Sequence, residues 1–216
     1  MAEQKGRGQA PHGSLPSLLS LLPDGGLPLQ KLAVTGGIAS GKSTVLKFLT
    51  ELGMTAISAD EVASSIRQNP LLMADLGRLL GLGTVPTKEI LRASLMDQDK
   101  RRIINSFFHS EVWRVMASSS AQVVEVPLLI ESCLWPFFHV SWTVSCPSEE
   151  RLRRLKDRGL PPDRAEHLIS IQVQDGTRQA LCDLNLDSFQ PREDLKSDVI
   201  AAFHSLPPGI AKQNRL

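Results

Sequence analysis

Long apolar runs are absent from this chain. No stretch approaches the ~20 consecutive apolar residues that a membrane-spanning helix needs, so no transmembrane segment is predicted. Cysteine is scarce as well. Cys133, Cys146 and Cys182 are odd in number, far apart and without C-x-x-C spacing, which argues against a disulfide framework and against a zinc site. All three are expected to act as small buried apolar side chains. Nor does one sign of charge dominate. Lys and Arg number 24 against 23 Asp and Glu, a formal net charge of +1, which builds no broad electrostatic surface for nucleic acid or membrane. The first 30 residues carry neither a small-residue cleavage site nor an Arg-rich presequence, and Pro16 interrupts the leucines of Leu15–Leu22. A cytoplasmic protein, monomeric or weakly self-associating, is the expectation.

What is present is a chain of 216 residues with 42% hydrophobic content, enough for one α/β domain with insertions. Met1–Gln30, rich in Gly, Pro, Ser and Leu, reads as a disordered extension, with at most a short helix near Ser17–Leu22. The organising stretch follows: K-L-A-V-T-G-G-I-A-S-G-K-S-T, residues 31–44. Leu32 to Val34 reads as a buried strand that breaks into a glycine-rich turn, and Gly41 opens a helical pattern. Gly36, Gly41, Lys42 and Ser43 satisfy the phosphate-loop pattern G-x-x-x-x-G-K-[ST]. Glycines let the main chain approach phosphate oxygens, successive N–H groups form an anion nest, and the helix N-terminus adds partial positive charge. Gly36, Gly37, Ile38, Ala39, Ser40, Gly41, Lys42, Ser43 and Thr44 are therefore the candidate phosphate-binding residues. Lys42 would reach the β- and γ-phosphates, and the Ser43 hydroxyl would bind Mg²⁺. The chain is expected to bind a nucleoside triphosphate.

Helix one should run from Lys42 to about Leu52 and stop at Gly53. Met54–Ile57 is a second strand, and Asp60 follows its C-terminal end, where an open parallel sheet places its ligand crevice. Asp60 would thus lie close to the phosphate loop if this strand neighbours the first; it would equally serve as the cap of a helix starting at Glu61, and one Asp can do both. Residues 61–118 read as helical, punctuated at Asn69-Pro70 and Gly81–Pro86, a block typical of an acceptor-binding insertion. Gln122–Val126 is a third strand, with Glu125 near its end either holding a metal through water as a Walker-B acid does or pairing with a lysine as a strand-face carboxylate. Val140–Ser145 is a fourth. Glu149–Arg158 is a helix bearing Arg151, Arg153, Arg154 and Arg158, either a solvated face or the arginines of a mobile lid. Gly159–Pro162 would be the lid tip, Asp163–Gln174 its returning helix, Leu181–Leu186 a fifth strand and Leu195–Leu206 the closing helix before a polar tail, 207–216. The fold class predicted is α/β: a P-loop NTPase-type three-layer arrangement around a parallel five-stranded sheet, with a helical insertion and a lid over about 149–175.

With these residues in place, the chain resembles the dephospho-CoA kinase family over about residues 31–205. T-G-G-I-A-S-G-K-S-T is similar to that family's phosphate loop, with Ala39 for one glycine. G-M-T-A-I-S-A-D-E-V-A resembles the segment whose second Asp, here Asp60, is the proposed base. N-S-F-F-H-S-E-V-W and E-V-P-L-L-I-E-S-C-L resemble two further segments, and Gln172, Arg178 and Asp183 fall at a matching spacing. The departures are Ser58 for the first Asp, Ser110 for the Pro after His109, Ile130 for Phe, Pro86-Thr87 for an Asp-Arg, Asp157-Arg158 for Arg-Asp, and Ser188 for Asn.

The resemblance implies transfer of the γ-phosphoryl of ATP, with Mg²⁺, to the ribose 3′-hydroxyl of dephospho-CoA, the last step of coenzyme A synthesis. Lys42, Asp60, Arg153 and Arg158 would be catalytic, with Arg154 as a further lid candidate. His109, Pro127, Leu128, Leu129 and Glu131 would face the acceptor. The rival readings are another small-molecule kinase of the nucleoside-monophosphate or shikimate type, and a nucleotide-binding regulatory protein without turnover.

Overall fold

The computed structural model describes residues 29–211. The expected N-terminal extension lies outside the described residues except for Leu29 and Gln30. These begin β1 (Leu29–Thr35), in which Gln30 alone is not buried. A strand so apolar on both sides needs a layer over each face. Leu32 and Val34 point into a core shared with Val45, Phe48 and Leu49 of α1 (Lys42–Glu51) and with Leu195 and Val199 of α9 (Arg192–His204). Ala33 points the other way, into a core containing Trp113 and Met116 of α5 (Gln98–Ser118) together with Val124, Leu129 and Ile130.

The sheet has five strands, all pairings parallel, in the order β2–β3–β1–β4–β5. The remaining strands are β2 (Ala56–Ser58), β3 (Val123–Glu125), β4 (Phe138–Ser145) and β5 (Leu184–Asp187). β2 therefore does not neighbour β1. The three residues of β3 lie between them, with Glu125 opposite both Val34 and Ser58. The loop after β1 sits where connections leave toward both edges, the position at which open parallel sheets bind ligands.

Between β2 and β3 the chain forms α2 (Ala59–Gln68), α3 (Pro70–Leu79), α4 (Lys88–Ser94) and α5. Asn69 accepts from the amides of Leu71 and Leu72, with Pro70 as the first helical residue, a favourable start signal. A further break, not anticipated, falls at 95–97, where Asp97 caps α5 by accepting from the amides of Asp99 and Lys100. After β4 come α6 (Ser148–Asp157) and α7 (Pro162–Ser170). The returning helix stops at Ser170 rather than at Gln174, and a separate α8 (Asp175–Leu181) precedes β5. Among the described residues, no helix is long and apolar enough to cross a membrane.

Two expectations are corrected. Cys146 is buried and Cys182 half-buried, but Cys133 is exposed, in a turn where its φ is 55°. The segment from 207 is not simply a tail, because Pro208–Ala211 forms α10. Ile210 is fully buried in the core beneath α1 and α9, and its carbonyl accepts from Gln122 Nε2 at 2.7 Å. Ile210→Ala should cost about 2–4 kcal/mol through lost burial and the cavity left behind. A urea titration would show it as a lower midpoint with an unchanged slope; an unchanged midpoint would remove α10 from the folded core.

Candidate active site

The phosphate loop is held open by its backbone. Gly36, Ala39 and Gly41 have φ of 145°, 59° and 102°. A side chain at Gly36 would overlap the Val144 carbonyl, so that position accepts no Cβ. Ala39 does carry one in left-handed conformation, at a cost of about 1 kcal/mol. Its methyl is recovered in a small core with Leu155 and Ala165, which fastens the loop to α6 and α7. The first turn of α1 contains no acidic residue, leaving the positive end of the helix unopposed. Lys42 Nζ donates to the carbonyls of Gly36 (2.9 Å) and Gly37 (3.0 Å), folded back over the nest. Burial pushes its ammonium below the ordinary lysine value. Glu125 and Asp60 pull the other way, and Arg178 and Arg151 add to the depression.

Asp60 is the second residue of α2, exposed, with Ser58 in the cap position. It is therefore not the helix cap. Although β2 is one strand removed from the loop, the charge of Asp60 is felt by both Lys42 and Glu125. Glu125 stands at the end of β3. Burial pushes its carboxyl above the usual range; Lys42 and the Ser58 hydroxyl oppose this, while Asp60 and Glu61 reinforce it. Lys42 and these carboxylates are thus electrostatically coupled across the ends of β2 and β3.

The lid arginines divide by helix face. Arg153 is bound to Glu150 (2.7 Å) and Asp157 (2.9 Å), with its side chain 63% exposed. The structure turns it away from the loop. Arg154 instead donates to the Ala39 carbonyl at 3.2 Å and to the Ser188 carbonyl at 3.0 Å. Arg154, Arg158 and Arg192 line a cleft of about 260 Å³ with Gly41, Ser43 and Thr44. Arg151, read from the sequence only as one of the arginines of a solvated face or lid, is instead buried, and its guanidinium fills the space over Gly37 where a Cβ would stand. The signal was in the spacing: Glu150, Arg153 and Asp157 form an i, i+3, i+7 solvent ladder, whereas Arg151 shares its face with apolar Leu155.

The segment after β3 also divides. Pro127 is half-buried and Leu128 exposed, but Leu129 is fully buried in the core and cannot touch an acceptor. Glu131 turns inward, where Oε1 accepts from the Val173 amide (3.1 Å) and from Arg178 Nη2 (2.7 Å). His109 lies on the exposed side of α5, one turn before the buried Trp113.

A phosphate loop at the switch point of a parallel sheet, backed by a charged cluster and roofed by arginines, defines a P-loop kinase. The family model of dephospho-CoA kinase matches residues 31–190, so the chain belongs to the dephospho-CoA kinase family. A relative of that name from Leifsonia xyli is 33% identical over 197 residues, spanning 82% of this chain and 99% of the relative. Another, from Dehalococcoides mccartyi, is 26% identical, spanning 78% and 93%. Relatives of the same name from Mycobacterium tuberculosis are 28% identical over 76% of this chain but only 44% of their own length. A solved structure from Thermus thermophilus superposes with a TM-score of 0.68 at 26% identity, covering 84% of this chain and 99% of that one. Dephospho-CoA kinase from Campylobacter jejuni shares the fold, with a TM-score of 0.57 at 20% identity over 83% and 98%.

The arginine geometry separates two variants. Arg153→Ala should leave turnover within about twofold, as expected for exposed ion pairs. Arg154→Ala, which removes a side chain tied to the loop and facing the cleft, should lower kcat/KM at least ~10-fold. Steady-state assays with ATP as the phosphoryl donor would reverse the assignment if the ranking came out inverted.

Proposed function

We propose that this chain transfers the γ-phosphoryl of ATP to the ribose 3′-hydroxyl of dephospho-CoA, giving coenzyme A. The observation that carries this reading is the open amide nest at the head of α1, with the Lys42 ammonium folded onto the Gly36 and Gly37 carbonyls and within the fields of Glu125 and Asp60. The loop amides and Lys42 would hold the triphosphate, with the ammonium leaving the carbonyls of Gly36 and Gly37 as phosphate oxygens arrive. Asp60, exposed in the first turn of α2 at the carboxyl end of β2, would accept or orient the proton of the incoming hydroxyl. Arg154 and Arg158 would cover the nucleotide from the lid. Phosphoryl transfer asks little covalent chemistry of a protein, so positioning and charge neutralisation supply most of the rate.

A divalent cation would draw on a hydroxyl and a carboxylate that the sheet presents at the carboxyl ends of β1 and β3. Ser43 offers a hydroxyl on the first turn of α1, and Glu125 is a carboxylate that burial and its acidic neighbours hold in an unfavourable charge state. Mg²⁺ bound there would neutralise charge on the β- and γ-oxygens. The acceptor would enter on the side of α2–α5, toward His109, Pro127 and Leu128. The remaining parts of the reading are a cytoplasmic site of action, a monomer or weak homo-oligomer, and no role for nucleic acid or membrane.

Asp60→Asn should cut turnover at least ~100-fold, a usual general-base contribution, while ATP affinity stays within about threefold. Acceptor-dependent ADP release, compared among dephospho-CoA, nucleoside monophosphates and shikimate, is the assay. Near-normal turnover in the variant removes Asp60 from the mechanism, and preference for another acceptor overturns the substrate.

A further inference from the structure

A row of charged side chains outside the phosphate loop runs without a gap from the segment after β3 to the loop itself. Glu131 Oε1 meets Arg178 Nη2 at 2.7 Å, Arg178 Nη1 meets Asp175 Oδ1 at 3.1 Å, and Asp175 Oδ1 meets Arg151 Nη1 at 3.5 Å. Arg178 also donates to the Val173 carbonyl. The side chains of Arg178 and Arg151 are 0% and 4% exposed. At its far end the row grips Ile38. Arg151 Nε donates to the Ile38 carbonyl at 2.9 Å, while Gln172 Oε1 accepts from the Ile38 amide at 2.8 Å and from Arg151 Nη2 at 2.9 Å. The peptide units on both sides of Ile38 are thereby fixed. The second of them leads into Ala39, the residue held in left-handed conformation.

Burying two guanidiniums is costly, and replacing such a network by apolar groups of like volume often leaves stability unchanged or higher. Stability is therefore a poor reason for it, and geometry a better one. We propose that Arg151 is a positioning residue for triphosphate binding. With Gln172, and braced through Asp175 and Arg178 to Glu131, it holds the Ile38 peptides so that the following loop amides point into the phosphate site. Arg151 acts through the main chain of Ile38 and the space over Gly37. The inference rests on the proposed function only in requiring that the loop bind a triphosphate.

The test is calorimetric titration of the full-length wild type, Arg151→Met and the double variant Arg151→Met/Ala39→Gly with Mg-ATP, Mg-ADP and AMP, with thermal unfolding alongside. Losing charge-assisted hydrogen bonds to the Ile38 carbonyl and Gln172 should weaken ATP and ADP at least ~10-fold in Arg151→Met. AMP, which gains least from the nest, should change less than about twofold. Glycine relieves the left-handed strain but gives up the methyl packed on Leu155 and Ala165, so the double variant should recover at least ~3-fold of the lost ATP affinity while Ala39→Gly alone, titrated beside it, changes ATP affinity less than about twofold. ATP affinity within twofold of wild type, equal losses for all three nucleotides, or no recovery in the double variant would each overturn the proposal. A wild type that binds no triphosphate would instead contradict the proposed function itself.

Discussion

The amide nest between β1 and α1 is the constraint on which the rest of this site depends. Its left-handed turns at Gly36, Ala39 and Gly41 bring N–H groups to a common point, and α1 adds a helix terminus with no acidic residue in its first turn. Lys42, partly desolvated, rests on backbone carbonyls rather than against a carboxylate in direct contact. A partly desolvated cation without a close counter-ion is unfavourable, and a polyphosphate supplies what is lacking. The loop is kept in this form from outside, by Ser188 on the Ser40 carbonyl, Arg154 on the Ala39 carbonyl, and Arg151 with Gln172 around Ile38.

Several residues that depart from the family pattern are absorbed locally. Ser58 stands where the resemblance calls for an acid, and its hydroxyl is a partner of Glu125. Thr87 replaces an arginine and caps α4 by accepting from the Ile90 amide at 3.3 Å. Asp157, out of order in the lid, pairs with Arg153 at the surface. Ser188 takes the asparagine's place and packs beside Gly41 while bonding the loop and Arg154. Each is a short polar or acidic side chain with a partner close at hand.

What was legible in the sequence was mostly local. The strand–loop–helix of residues 31–51 and the Asn69-Pro70 start of α3 carry their own punctuation, and the apolar content of β1 demanded two covering layers. Strand order was not legible. Nothing in Met54–Asp60 says that β3 will insert beside β1, since that choice depends on packing between segments far apart in the chain, Leu32 against Val123 and Ala56 against Val123. Arg151 and Arg153 are indistinguishable as residue types, and only the direction each faces on α6 separates the clamp from the solvent ladder. Leu129 and Glu131 resembled acceptor contacts because their segment is characteristic of the family, yet one fills the core and the other anchors Arg178. α8 escapes a sequence reading that carries the returning helix through the turn at 171–174, which leaves 175–180 without an element and gives Leu181 to the fifth strand.

The central claim is that this nest delivers a γ-phosphoryl to an alcohol positioned beside Asp60. It is tested most directly by a single turnover with ATP labelled in the γ-phosphoryl and dephospho-CoA as the sole acceptor, followed by locating the label in the product by phosphorus NMR. The account predicts one labelled phosphate per acceptor, attached at the ribose 3′-oxygen. Label remaining in ATP, released as inorganic phosphate, or found at any other position would contradict it.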